Sequence, residues 1–112
     1  MAVTVTYAYP VAGVTPPTAA QAKKCNTITA TVAIGADTDT SFVMTHNWGL
    51  STAQLAFNFP LVTITPNVVG TAVCTIAAVL TNSNIVTFSK GNVAGSAGTY
   101  IVVLQRPCSL AA

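Results

Sequence analysis

Hydrophobic and polar residues alternate with a period of two along much of this chain. From residue 3 to 9, valine and tyrosine alternate with threonine and alanine, and residues 27–34 repeat the pattern with isoleucine and valine. Successive side chains of a strand point to opposite faces, so both segments are predicted to be strands with one wet face. Five more segments are rich in β-branched and aromatic residues. The predicted strands are Val3–Tyr9, Thr27–Ile34, Ser41–Thr45, Leu61–Thr65, Ala72–Leu80, Ile85–Ser89 and Thr99–Gln105.

Turn-forming residues separate these strands, and no segment of helical length has a 3.6-residue hydrophobic period. Short strands at this spacing predict an all-β fold, a single antiparallel β-sandwich or jelly-roll-like barrel of about seven strands. The 112 residues are one domain's worth of chain, predicted as a single domain over 1–112. The predicted buried residues are Val5, Ile28, Val32, Phe42, Val62, Ile64, Val73, Ile76, Val86, Phe88, Ile101 and Val103.

Two stretches interrupt the strand pattern. Residues 10–24 contain Gly13, Pro16 and Pro17 and are predicted to form an extended surface loop or arm, with one helical turn at Ala19–Ala22. Few of its side chains are expected in the core, so deletion of Pro10–Ala22 should abolish binding or oligomerisation and leave the sandwich folded. A second helical turn is predicted at Ser51–Leu55, where serine and glutamine have the spacing of a capping box.

Charge is scarce. Charged residues make up 5% of the chain, with two aspartates, no glutamate and a net charge of +2, whereas an ordinary soluble domain carries roughly 25%. So few basic residues argue against a nucleic-acid partner. Threonine, serine or asparagine interrupts every apolar stretch before the roughly 20 residues that a membrane span requires, and no secretory leader is expected.

The sequence offers little to catalysis. Asp37 and Asp39 are the only acids, in one predicted loop, and His46 is the only histidine, without a glycine-flanked nucleophile to partner it. We therefore expect no enzymatic activity, catalytic residue, cofactor or metal site. Cys74 is predicted to be a reduced core residue, while Cys25 and Cys108, at the edges of the sandwich, are the two able to pair.

Three short segments resemble small virion proteins of tailed bacteriophages, most closely the β-sandwich proteins that decorate or cement capsids. They are Thr45–Ser51, Phe88–Lys90, and Gly95–Tyr100 leading into a final strand that ends Arg106-Pro107-Cys108-Ser109. The resemblance implies a structural protein made in the host cytoplasm and located on the capsid surface of the virion. It also implies a homo-oligomer, with a trimer favoured, that binds the major capsid protein or another virion protein.

Two regions are predicted to contact such a partner. The arm has the length and proline content to lie across a neighbour, and the turn after the third strand concentrates polar donors beside one large aromatic residue. The predicted interface residues are Pro10, Val11, Val14, Pro16, Pro17, His46, Asn47 and Trp48.

Three alternatives share this composition. A tail, collar or baseplate component would differ mainly in copy number. A carbohydrate-binding sandwich would use Trp48, Tyr7, Tyr9 or Tyr100 as a stacking platform. A coat protein of a small RNA virus would match the length but should carry more basic residues facing its genome.

Overall fold

Seven strands and two short helices make up the regular structure of the residues described by the computed structural model, which are 3–57, 59–66, 76–80 and 82–106. The elements are β1 (Val3–Tyr9), α1 (Ala19–Ala22), β2 (Thr27–Ile34), β3 (Ser41–Thr45), α2 (Thr52–Ala56), β4 (Leu61–Pro66), β5 (Ile76–Val79), β6 (Ile85–Lys90) and β7 (Gly98–Gln105). The predicted strands are confirmed wherever they are described. The first part of the predicted strand at 72–80, including Val73 and Cys74, lies outside the described residues.

The strands form two antiparallel sheets. One has four strands in the order β1-β2-β7-β4, and the other has three in the order β3-β6-β5. Residues from both sheets contribute to one hydrophobic core, in which the rings of Phe42 and Phe88 stack with centroids 4.7 Å apart. The predicted all-β sandwich is therefore confirmed.

Register decides which residues face the core. Val32 of β2 lies between Val5 of β1 and Tyr100 of β7, so these three side chains share the inner face of the four-stranded sheet. Among the predicted core residues, Ile28, Val32, Phe42, Val86 and Phe88 are buried, and Val5, Val62, Ile64 and Ile76 are half-buried.

The prediction was wrong for β7. Ile101 is 38% exposed and Val103 is only half-buried, while Tyr100, Val102 and Leu104 are buried. Residues 100–104 are all apolar, so their alternation has no visible phase. The antiparallel pairing with β2 sets that phase, and a one-residue error exchanges the two faces.

Both helices begin with a capping box. Thr18 accepts a hydrogen bond from the Gln21 backbone N–H and Ser51 from that of Gln54, while each glutamine side chain accepts from the backbone N–H of its cap residue. These reciprocal bonds satisfy free amides of a first helical turn, which allows such short helices to persist. The predicted turns at Ala19–Ala22 and Ser51–Leu55 are confirmed, the second shifted by one residue.

Candidate functional site

The turn that follows β3 is built into the interior. His46 is fully buried and Trp48 is 3% exposed. The Trp48 indole Nε1–H donates to the backbone carbonyls of Ala22 at 2.8 Å and Cys25 at 3.2 Å. His46 and Trp48 therefore offer no surface to a partner, and assigning them to an exposed interface was wrong.

Asn47 and Gly49 allow this turn to fold inward. Asn47 has φ 58° and Gly49 has φ 64°, the left-handed region that asparagine and glycine tolerate best. The Gly49 N–H donates to the Asn84 side-chain oxygen at 3.0 Å, and the Asn84 backbone carbonyl accepts from the N–H groups of both His46 and Asn47. The turn is thereby fastened to the loop that precedes β6.

The inner half of the arm is also part of the scaffold. Pro17 and Ala22 are fully buried, and the Asn47 side chain donates to the Pro17 carbonyl at 2.8 Å. These two are the only buried residues of the arm, as few as expected, and Pro17 is unavailable to a partner. The predicted interface residues that the arm exposes are in its outer half, where Val11 is 38% and Val14 is 70% exposed, with Pro10 and Pro16 half-buried.

His46 is held in its neutral form. The Trp48 backbone N–H donates to Nδ1 at 3.0 Å, so Nδ1 is unprotonated and the ring proton lies on Nε2. Nε2 is buried and has no hydrogen-bond partner among the described residues. Burial lowers the His46 pKa from 6.5 to about 4, because a charged imidazolium there would lose its hydration.

Arg106 closes the same end of the sandwich. Its guanidinium carbon lies 5.6 Å from the centroid of the Trp48 ring, within the range of a cation–π contact. Its Nε donates to the Cys25 carbonyl at 3.0 Å and one terminal nitrogen donates to the Lys23 carbonyl at 2.8 Å. Arg106 thus joins the end of β7 to the arm and has a structural role.

A second polar cluster occupies the opposite end. Lys90 is 3% exposed, and its Nζ donates to the carbonyls of Asp37 and Gly91 at 2.9 Å each and to the Ser96 hydroxyl at 2.6 Å. The Asp37 carboxylate accepts from the backbone N–H groups of Ala97 and Gly95, which lower its pKa. The cluster ties the β2–β3 loop to the β6–β7 loop. The sequence did not predict this cluster, because a lysine that ends a strand usually points to solvent.

The residues considered for catalysis are far apart. Asp39 precedes β3 and His46 follows it, so the five residues of that strand separate them by roughly 17 Å. Among the described residues, no group of three or more histidine, cysteine or acidic side chains is placed to hold a metal. The absence of enzymatic activity stays a prediction.

The aromatic residues considered for carbohydrate stacking are mostly interior. Tyr7, Trp48 and Tyr100 are each less than 5% exposed, and only Tyr9, at 52%, presents its ring to solvent. Tyr7 instead links the two sheets, since its hydroxyl accepts from the Thr45 backbone N–H at 2.9 Å, and burial raises its pKa. One exposed ring does not make a stacking platform.

The outer face of the four-stranded sheet carries no charged residue. Lys23, Lys24 and Arg106 lie at one end of the sandwich, and Asp37, Asp39 and Lys90 at the other, which accounts for every charged residue of the chain. We call this face the threonine face. Its residues are Thr4, Thr6, Thr27, Thr29, Thr31, Ala33, Leu61, Thr63, Thr65, Thr99, Ile101, Val103 and Gln105.

The layout of the threonine face is that of an interface with an apolar centre. Ile101 lies in a row between Thr31 and Thr65, and Val103 in the next row between Thr29 and Thr63. The face spans about 19 Å across four strands and about 27 Å along β2 and β7, roughly 500 Å². The alternating threonines of β1, β2 and β4 were the sequence signal for this face. Its apolar centre was not predicted, because Ile101 and Val103 of β7 had been assigned to the core.

Cys25 is a free, buried thiol whose Sγ lies 3.5 Å from the Ala22 carbonyl oxygen. Cys74 and Cys108 lie outside the described residues, so the reduced state of Cys74 and the ability of Cys25 and Cys108 to pair stay predictions.

Comparison with known proteins found no matching family model, curated protein or solved structure. Within the part of the chain that the structure describes, no helix has the length and apolar character to cross a membrane.

Proposed function

We propose that this protein is a non-enzymatic structural component of a tailed-phage virion that decorates the capsid and stabilises it by binding the lattice of the major capsid protein. The single observation that carries the proposal is the charge-free threonine face. The sequence resemblance to capsid decoration proteins supplies the kind of assembly.

Desolvation favours such a face at a permanent contact. A charge that becomes buried at an interface loses hydration worth several kcal/mol unless it is paired with good geometry. Hydroxyl and methyl groups of threonine lose far less, and their hydroxyls can still donate and accept across a contact. A face that combines threonine with Ile101 and Val103 therefore suits a permanent contact that is held by packing.

The size of the face is consistent with this use. About 500 Å² on each partner gives roughly 1,000 Å² for the pair, near the lower limit of a specific interface. The exposed side chains of the arm's outer half, Val11 and Val14, are the candidates to extend it. In a homo-oligomer, the linked copies would add avidity to a contact of this size.

The predicted partner is thus recognised without charge, and binding should depend weakly on salt, because exposed ion pairs are the interactions that salt screens. A partner that bound through Lys23 and Lys24 would instead bind much more weakly as the salt concentration rises.

The test uses particles of the encoding phage from which this chain has been removed. Purified protein should rebind with an affinity that changes less than about threefold between 50 and 500 mM NaCl. Ile101→Lys, at the centre of the threonine face, should weaken binding at least about tenfold, because an unpaired lysine would be buried at the contact.

Val43→Lys is the matched control. Val43 is 45% exposed on the outer face of the other sheet, so this variant adds the same charge elsewhere and should bind like the original protein. Release of the intact protein by moderate salt, or equal binding by both variants, would contradict the proposal.

A further inference from the structure

We infer that the first half of β1 is a pairing edge for a second copy of this chain, and that two copies join their β1 strands antiparallel about Thr4. The inference concerns self-association and does not depend on which assembly the protein enters. The direction of the backbone groups along β1 supports it.

Tyr7 fixes those directions. Its N–H donates to the Gly13 carbonyl at 2.7 Å, and its carbonyl accepts from the Gly13 N–H at 2.9 Å, so both groups point away from β2. In an antiparallel pair, residues alternate between pointing toward the partner strand and away from it. Val5 and Val3, two and four residues earlier, therefore also direct their N–H and C=O groups away from β2.

These outward groups are left open. Among the described residues, the backbone groups of Val3 and Val5 have no partner on the side away from β2. The second half of the strand is protected, because Gly13 pairs with Tyr7 and a register irregularity separates Tyr7 from Tyr9. Natural edge strands are usually blocked by charge, proline, a bulge or a covering loop. Within the part of the chain that the structure describes, Val3–Val5 has none of these.

The same edge fits itself. In a twofold arrangement centred on Thr4, Val3 of one copy lies opposite Val5 of the other, and each of the two pairs exchanges two backbone hydrogen bonds. The two Thr4 side chains then meet on the threonine face. No charged residue lies on β1 or on its neighbour β2, so no like charges oppose one another.

Pairing at this edge would join the two four-stranded sheets into one continuous sheet of eight strands. The threonine faces of the two copies would then form a single surface twice as large. A twofold contact closes with two copies, whereas the resemblance to decoration proteins implies a trimer, so the two expectations differ in the mass of the particle in solution.

The experiment measures that mass by sedimentation equilibrium over a concentration series of the full chain. The original protein should reach twice the 11.4 kDa chain mass. Val5→Pro removes one outward N–H that β2 does not use, and Thr4→Lys places two lysines opposite each other at the axis. Each should weaken dimerisation at least about tenfold.

Ala33→Lys is the matched control. Ala33 lies on β2, where it pairs with Thr4 of β1 and is exposed on the threonine face. Because β2 is not the edge strand, this variant should remain dimeric. Circular dichroism checks that each variant is folded. If Val5→Pro does not fold, the mass of Thr4→Lys tests the dimer on its own. Amide exchange at Val3 and Val5 should slow as concentration rises.

A monomer at all concentrations, a discrete trimer, or dimers that persist in both edge variants would overturn the inference. Loss of particle binding by Ile101→Lys with dimerisation intact would support the proposed function and would leave the dimer inference unchanged.

Discussion

Acidification should destabilise this protein through one residue, His46. Its pKa is 6.5 in an unfolded chain and about 4 in the fold, because the ring is buried. Well above pH 6.5 the ring is neutral in both states and its contribution to stability is fully present. As the pH falls from 6.5 to about 4, only the unfolded chain takes up the proton, so the free energy of unfolding decreases.

The magnitude follows from the two pKa values. The slope approaches 1.36 kcal/mol per pH unit, so between pH 7 and pH 4.5 the loss should be about 2 to 2.5 kcal/mol. Asp37 does not contribute to the loss of stability between pH 7 and pH 4.5. Its backbone hydrogen bonds lower its pKa below 3.8, so its own contribution is lost only at more acid pH.

Urea unfolding at half-unit pH intervals measures this loss. His46→Asn is the control, because an amide oxygen can still accept from the Trp48 N–H while nothing titrates at that position. Its free energy of unfolding should change little over the same range. The reasoning is refuted if the original protein loses less than about 1 kcal/mol, or if the asparagine variant shows the same slope.

Four further measurements test the scaffold and the expected absence of catalysis. Trp48→Phe should lower the free energy of unfolding by about 1–3 kcal/mol in urea titrations, because the Ala22 carbonyl loses its indole donor; an unchanged value would contradict this. Lys90→Met should cost about 2–3 kcal/mol, since three acceptors lose a charged donor, and a neutral effect would show that the cluster is dispensable. Native Cys25 should resist alkylation until urea unfolds the chain, as mass spectrometry can follow; rapid labelling would count against its burial. His46→Ala should change stability and no catalytic rate, which a hydrolase screen on folded protein would check.

The strands were predictable because their chemistry is local. Alternation in Val3–Tyr9 and Thr27–Ile34 marks the buried face directly, and the spacing of Ser51 and Gln54 marks a helix start. These signals depend on neighbours within a few residues, which a sequence displays.

The interior position of the turn after β3 was not predictable in the same way. The partners of Trp48 are carbonyls at positions 22 and 25, and those of Asn47 lie at positions 17 and 84. Such bonds join segments that are distant along the chain, and a histidine or tryptophan beside glycine looks the same whether its turn folds inward or outward. The phase of β7 was lost for a related reason, since only pairing with β2 defines it.

The number of copies of this chain in each purified virion tests the central claim most directly. Quantitative mass spectrometry against the major capsid protein should give a constant integer ratio that the symmetry of the shell sets, in full and in tailless particles alike. A few copies that match the symmetry of the tail would assign the protein to the tail, collar or baseplate instead. Its absence from the virion would contradict the account altogether.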